Sequence, residues 1–408
     1  MNNDELNDNL KTKKMSSDTK KGIVIGIMST IVVLLIFNIA NLSYKIFIKK
    51  DYSYESKAKT IYNLMEDKYV GDLDNEKIFD GMYTGMVALA TDKYSRYISK
   101  EDFDSYKIST SGNYAGIGCK TSIDADDYSI YIVSLYENSP ASKAGLKPND
   151  KIVKVNDVAV NYDNYDEAIS NIRGEKGSKV TLTIKRGENV FNVDVTREDV
   201  DVPTVGGTVI NNSIGYIKIE GFESVTYDQY KVVYDNLRKQ NIKSLIIDLR
   251  NNPGGLLDIV TKVADDIIPE GVITYTEDKN GEKEYINSTK GELDIPLVVL
   301  VNENSASASE LLTAAIKDTN KGTIVGKNTY GKGVVQTTFP FKDGSAVKLT
   351  TAKYYTPKGV CIDGVGVAPD VVVDNSEGFV LNSLNSDKAE CDTSNDAQLK
   401  KAIEILSK

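Results

Sequence analysis

Val298-Val-Leu-Val-Asn-Glu-Asn-Ser-Ala-Ser-Ala-Ser-Glu310 decides how the chain reads. Leu297 to Val301 predicts a short buried strand that breaks at Asn302 and Asn304. The small residues Ser305 to Ser309 then open a helix, expected over Glu310 to Lys317. A strand that feeds a helix through small residues exposes a hydroxyl beside free backbone N–H groups. A second stretch, Thr329-Tyr-Gly-Lys-Gly-Val-Val-Gln336, sets Lys332 between two glycines, where backbone approaches closely. A strand is expected from Val334 to Phe339. Gln336 falls four positions after Lys332, which on a strand places both side chains on one face.

The 408 residues contain no histidine. Ser-His-Asp and Cys-His mechanisms are therefore excluded whatever the fold. A serine nucleophile would need another base, and lysine is the known substitute. The lysine takes a proton only when it is itself neutral, and burial among apolar groups favours that form. The Gln336 amide is placed to hold the amine. The plainer reading of Ser305, Ser307 and Ser309 is that they cap a helix.

These residues resemble the carboxyl-terminal processing, or tail-specific, proteases. That family carries a serine in Ser-Ala-Ser-Glu, a lysine in Gly-Lys-Gly and a glutamine four residues later. The spacing of 25 positions to Lys332 selects Ser307 over Ser305 and Ser309. The resemblance runs from about Tyr54 to Val373 and implies an α/β protease core, a mixed sheet with flanking helices of the crotonase/Clp-like type. Asn304 stands where the family has glycine; asparagine tolerates left-handed backbone.

The net charge of −10 and the pI of about 4.9 give no support for nucleic-acid binding. Cys119, Cys361 and Cys391 show no Cys-x-x-Cys spacing, so neither a zinc site nor a disulfide framework is expected. No metal or organic cofactor is called for.

Met1 to Lys21 reads as a polar cytoplasmic tail. Gly22 to Leu42 is apolar enough for one membrane span, with the preceding lysines favouring a cytoplasmic N-terminus. A cleaved signal peptide is the alternative; the run lacks a convincing small-x-small site. Tyr54 to Lys107 has helical spacing throughout. Asp92-Lys-Tyr-Ser-Arg-Tyr97 resembles the family segment that closes this region, with Lys93 in place of proline, and reads as packing without chemistry.

Gly112 to about Glu198 resembles a PDZ domain, β-sandwich-like, in which Gly116-Ile117-Gly118 would receive a peptide's terminal carboxylate through backbone N–H groups. Ser139 to Leu146 and Asp150 to Asn156 match its turn and strand, with Asn149 in place of glycine. A helix is expected from Tyr162 to Ile172. Arg173 reads equally as a contact for a bound tail or as a surface charge. PDZ grooves take an extended peptide as an added strand.

Asn211 to Asp374 alternates strands and helices, an α/β pattern. The strand Ser244 to Leu249 ends in Arg250-Asn-Asn-Pro-Gly-Gly255, and a helix is expected from Leu256 to Ile267. The resemblance implies an oxyanion role for Gly254 or Gly255, together with the N–H of Ala308. Glu310 and Asp318, at the two ends of the nucleophile helix, either support the site or are a solvated pair. Gly364 to Asp370 matches the family's closing motif. The chain ends in an amphipathic helix, Ala397 to Leu406, expected on the N-terminal helices or on a second copy; the resemblance suggests a homodimer.

The expected organisation is 1–21 tail, 22–44 anchor, 45–108 helical region, 109–200 PDZ domain, 201–375 protease core and 376–408 polar segment with a terminal helix. The expected protein is a single-pass bacterial membrane endopeptidase with its protease domain outside the cytoplasm. It would bind protein substrates by their C-terminal tails and cut them with Ser307, Lys332 and Gln336. A tethered scaffold with a dead protease domain would have lost the serine or the lysine. Another Ser-Lys hydrolase would lack the PDZ module.

Overall fold

The computed structural model describes residues 15–43, 53–125, 127–289, 291–376, 379–382, 384, 389 and 391–407. Most of the expected tail, Met1 to Lys21, lies outside the described residues. The chain divides into two units, residues 1–79 and 80–408.

The first unit is helical. α1 (Ser17–Ser43) is fully exposed along its described length and holds a 24-residue span, Ser17–Ala40, of mean hydropathy 2.7. A helix that is apolar all round, with nothing covering it, is long enough to cross a membrane. α2 (Tyr54–Lys68) is capped by Ser53, whose hydroxyl accepts from Ser56 N–H at 3.1 Å. α3 (Asn75–Ala90) follows.

In the second unit the expected unbroken helical run is interrupted. β1 (Arg96–Ile98) is a strand, and only then does α4 (Lys100–Ser111) begin. The reason is tertiary: β1 pairs antiparallel with a distant strand, Arg96 opposite Lys348 and Ile98 opposite Ala346.

A small β module follows, opened and closed by the pair β2 (Asn113–Gly116) and β9 (Glu198–Asp201). Between them run β3 (Cys119–Ile123), β4 (Ile130–Leu135), α5 (Pro140–Lys143), β5 (Lys151–Val155), β6 (Val158–Ala159), α6 (Tyr165–Ile172), β7 (Lys179–Arg186) and β8 (Asn189–Thr196). The strands order as β3-β4-β5-β7-β8, so β3 is a sheet edge. Their alternate residues Ile130, Ile132, Ile152, Leu182 and Ile184 are fully buried in one core. Asn149 has φ 69°, the left-handed backbone that suits the residue found there. Arg197 donates to the carbonyls of Asn171 (2.6 Å) and Ile172 (3.1 Å), a cation on the C-terminal turn of α6.

The core domain begins with β10 (Val205–Ile210) and β11 (Ile214–Ile219), then α7 (Thr226–Lys239), β12 (Ser244–Asp248) and α8 (Leu257–Asp265). β13 (Gly271–Asp278) and β14 (Lys283–Ser288) lead to β15 (Leu297–Val301), α9 (Ala308–Asp318) and β16 (Thr323–Gly326). β17 (Val334–Pro340), β18 (Ala346–Tyr355), β19 (Val371–Val372) and α10 (Ala397–Leu406) complete it. One sheet orders β10-β11-β12-β15-β16-β19, parallel except for the β10 edge. Its central strands are apolar without alternation because both faces are covered. Ile217, Ile247 and Val299 face the core shared with α7, α8 and α9; Tyr216, Ile246, Val298 and Leu300 face α10. The second sheet, β1-β18-β13-β14 with β17 on β18, is antiparallel.

The terminal helix corrects the expectation. α10 packs on β15 and β16, burying Leu399 and Ala402 there. An ionic brace fixes it. Arg250 donates to Asp248 (2.6 Å), Asp396 (2.9 Å) and Gln398 (3.0 Å), and Tyr216 OH donates to Asp248 at 2.6 Å. Burial opposes charge on both partners, but each outweighs it for the other: Arg250 titrates above its ordinary range and Asp248 below. Removing one partner would strand the other charge, a loss of about 3–5 kcal/mol.

Candidate active site

The strand β15 ends where its pairing with β12 ends, and the chain turns at Ser307 with φ 55° and ψ −115°. A non-glycine residue there costs on the order of 1–3 kcal/mol and needs surroundings that impose it. They are present. Ser307 N–H donates to Glu310 Oε2 at 2.7 Å, and Ser307 C=O accepts from Leu311 N–H (3.0 Å) and Tyr354 OH (2.8 Å). On the preceding residue, Ala306 N–H donates to Asn252 C=O at 3.0 Å.

The three serines separate cleanly. Ser305 Oγ donates to Leu249 C=O at 2.8 Å and Ser309 Oγ to Asn252 C=O at 3.0 Å, both buried. Ser307 caps α9, so the plainer reading also holds for it. Its hydroxyl nevertheless donates to no acceptor among the described residues and lines a cavity of about 350 Å³.

Lys332 lines the same cavity. Its loop is held by one buried carboxylate. Glu310 accepts from Lys332 N–H (2.8 Å), Gly331 N–H (2.6 Å), Thr329 Oγ1 (2.6 Å) and Ser307 N–H (2.7 Å). Glu310 is 0% exposed, so all this occurs away from water. It ties the backbone of the serine turn to that of the lysine loop. Tyr354 repeats the tie from the carbonyl side, its hydroxyl shared between Ser307 C=O and Lys332 C=O. Asp318, by contrast, bonds Lys358 N–H at 3.1 Å at the far end of α9.

The flanking glycines are needed for close approach. A Cβ on Gly333 would sit 2.4 Å from Asp363 N, and one on Gly331 would lie 3.1 Å from the amide nitrogens of Val365 and Gly366. The motif Gly364 to Asp370 thus supports the lysine loop.

The Lys332 amine is half-buried and makes no ion pair among the described residues. It lies 4.8 Å from the centroid of the Tyr94 ring, a cation–π contact. Burial first, and the charge of Lys348 second, lower its pKa. No hydrogen bond joins Nζ to Ser307 Oγ. Lys93 donates to Tyr330 OH at 3.0 Å, so the segment Asp92 to Tyr97 covers the lysine loop rather than merely packing.

Gln336 lines the cavity, but its amide donates to Thr350 Oγ1 (3.3 Å) and Val334 C=O (3.4 Å), not to Lys332. The shared-face argument fails because β17 starts only at Val334 and its pairing shifts register between Val335 and Gln336. Asn304 also departs from expectation. It is not left-handed; its side chain donates to Asn251 Oδ1 at 3.0 Å, and Asn251 takes φ 61° instead.

Gly254 is pressed against Ser307. A Cβ there would lie 2.8 Å from Ser307 Cβ and 2.9 Å from Ala308 N. Its N–H already donates to Asn252 Oδ1 at 2.8 Å. The N–H groups of Gly255 and Ala308 have no acceptor among the described residues. On Gly255, a Cβ would strike Phe222 C=O at 2.3 Å.

In the β module, the N–H groups of Ile117 and Gly118 likewise lack an acceptor among the described residues, at the start of the edge strand β3. Gly118 takes φ 73° with Ser139 close behind it, and Gly116 lies under the Tyr114 ring. Arg173 sits 5.2 Å from that ring's centroid, which brings it beside this loop. The thiols of Cys119 and Cys391 are pushed up to about 12 by burial, which makes them inert.

Sequence reasoning missed Tyr354, Tyr94, Asn252 and Lys348. Tyr94 lies within the Asp92 to Tyr97 motif and Asn252 within Arg250 to Gly255, both already singled out; Tyr354 and Lys348 carried no local signal.

Residues 213–373 match peptidase family S41, and residues 131–186 match a PDZ domain. A Staphylococcus aureus protein described as a probable CtpA-like serine protease is 37% identical over 83% of this chain and 69% of its own length. One from Staphylococcus saprophyticus, with the same description, is 32% identical over 94% of this chain and 81% of its own. The crystal structure of an S41 protease from Bacteroides fragilis superposes with a TM-score of 0.51 at 16% identity, over 83% of this chain and 92% of that one.

Proposed function

The chain belongs to peptidase family S41 and is a serine protease of the carboxyl-terminal processing type with a PDZ domain; from that premise we propose that Ser307 and Lys332 form its catalytic dyad. One observation carries the reading. The single motif serine whose hydroxyl proton is uncommitted opens onto the same cavity as a half-buried lysine, and the buried Glu310 carboxylate grips the backbone of both.

Lys332 swings from the Tyr94 ring to Ser307 Oγ and takes its proton as the oxygen attacks the peptide carbonyl. The oxyanion forms against Ala308 N–H and Gly255 N–H, the one N–H of the glycine pair that Asn252 leaves free. Gly254 lacks a side chain so that its backbone can lie against Ser307. The protonated Lys332 gives its proton to the leaving amine, the C–N bond breaks, and an acyl-enzyme remains on Ser307. Water then attacks with Lys332 again as base, releasing the acid. Gln336 turns toward the amine once Lys332 has left the tyrosine.

The β module binds the substrate's C-terminal tail as a strand on the free edge of β3, its carboxylate on Ile117 N–H and Gly118 N–H with Arg173 beside it. Residues 17–40 anchor the protein in a bacterial membrane, with the unit 80–408 outside the cytoplasm, and a second copy completes a homodimer.

Ser307→Ala and Lys332→Ala are each expected to lower kcat/KM on a tailed protein substrate on the order of 10^4-fold or more. Their urea midpoints should stay close to wild type. Turnover near wild type by either folded variant would remove the dyad.

A further inference from the structure

We propose that Arg96 and Lys348 form a carboxylate-binding subsite on the wall of the catalytic cavity, which positions an acidic group of the bound polypeptide and so sets where it is cut. This rests on the protease reading above. It concerns the substrate's carboxylate inside the cavity, a position separate from the tail-binding edge of the PDZ domain.

Arg96 and Lys348 are direct cross-strand partners in the antiparallel pair β1–β18. Direct partners share a sheet face, and like charges there repel. Both cations lean on one ring: the Arg96 guanidinium carbon is 5.7 Å, and Lys348 Nζ 5.5 Å, from the centroid of Tyr106. Tyr106 OH is hydrogen-bonded to Thr338 Oγ1 at 2.9 Å, which fixes the ring they share.

Neither cation makes an ion pair among the described residues. The acid lining the catalytic cavity, Glu223, accepts from Thr226 Oγ1 at 3.2 Å and not from Lys348. Asp102, in the adjoining hollow, accepts from Ser99 Oγ at 2.9 Å and not from Arg96. Lys348 is half-buried, and burial with the nearby Arg96 lowers its pKa. Arg96 is exposed and Lys348 half-buried beside it; a repelling pair kept together with no counter-charge among the described residues is a site for an anion. A fork and a point charge gathered at one aromatic ring suit a carboxylate.

The place of the pair gives it a role. Lys348 lines the cavity that holds Ser307, while Arg96 lines a neighbouring hollow of about 430 Å³. Tyr106 and Ser109 line both. A polypeptide leaving Ser307 past Tyr106 therefore passes both cations. The carboxylate is either an Asp or Glu side chain near the scissile bond or the chain's own terminal carboxylate.

The test uses the full chain in detergent and fluorogenic decapeptides of one neutral sequence. One series places Glu for Gln at each position in turn; another compares a free with an amidated C-terminus. Wild type is expected to cut one carboxylate-bearing peptide about tenfold more efficiently than its neutral twin, the range of one charge-assisted contact. The series that shows the gain identifies the source. Lys348→Met and Arg96→Met should erase the gain, and Lys348→Arg should keep it. Because the readout is a ratio between twin peptides, any change in Lys332 basicity cancels. Equal cutting of all twins by wild type, or an unchanged ratio in both methionine variants, overturns the subsite. Failure of the dyad itself would show instead as activity in Ser307→Ala, whatever the ratios.

Discussion

The turn at Ser307 and the loop at Ile117 to Gly118 both offer backbone N–H groups to an incoming oxygen, yet they are built in opposite ways. Around Ser307 the supporting frame is committed: Glu310 takes four donors, Tyr354 bridges two carbonyls, and Ser305 and Ser309 are bonded into it. Around Gly118 the loop leads into a sheet edge that has no further strand beside it among the described residues. A bond-making site needs reacting atoms fixed before the substrate arrives, whereas a strand-binding site needs an open ladder that many sequences can complete.

The largest test of that contrast is Glu310→Gln. The amide fits the space but turns an NH2 toward two of the N–H or O–H donors that the carboxylate accepts. The serine turn and lysine loop then separate, and kcat is expected to fall about 100-fold, read by single-turnover kinetics alongside a urea melt. An unchanged kcat in a folded protein would mean that fixation is not what sets the two regions apart.

Gly118→Val is the matching change in the other region. Its φ of 73° and a Cβ only 2.5 Å from Ser139 Cβ distort the loop. KM for a tailed substrate should rise roughly tenfold while kcat holds, the mark of lost binding. A fall in kcat alone would break the comparison by coupling the loop to the chemistry.

The smallest effect is on pH dependence. The proposed dyad uses Lys332 as the neutral amine, so kcat/KM should rise with pH and level off above the lysine's pKa, which burial and Lys348 hold below the ordinary range. Lys348→Met removes a neighbouring positive charge, which raises that pKa and moves the rising limb to higher pH. A limb that stays in place would show Lys348 to be electrostatically silent toward Lys332.

Much of this was legible in the chain. A five-residue apolar run, a cluster of small residues and a Gly-Lys-Gly loop are local signals, and with histidine absent they left few chemistries open. What stayed hidden depends on contacts between distant segments. Tyr354 reaches Ser307 across 47 positions, and nothing around it in sequence marks it. Lys348 reads as an ordinary exposed strand residue until β1 is laid opposite it. Tyr94 stayed hidden because helical spacing was extended through a turn and the short strand β1 that follows it. The Gln336 bond to Thr350 was not legible because Lys332 lies in the loop before β17, where the alternation of a strand does not reach.

The brace between Arg250 and Asp396 has a consequence for the order of events during biosynthesis. Arg250 lies four residues before Gly254, while Asp396 leads into α10, translated well after Ser307. A nascent polypeptide that has emerged only as far as Ser307 carries a guanidinium without all its counter-ions, beneath a sheet with one face still wet. Hydrolytic competence would then arrive with α10, after the segments that hold the reacting groups have already left the ribosome.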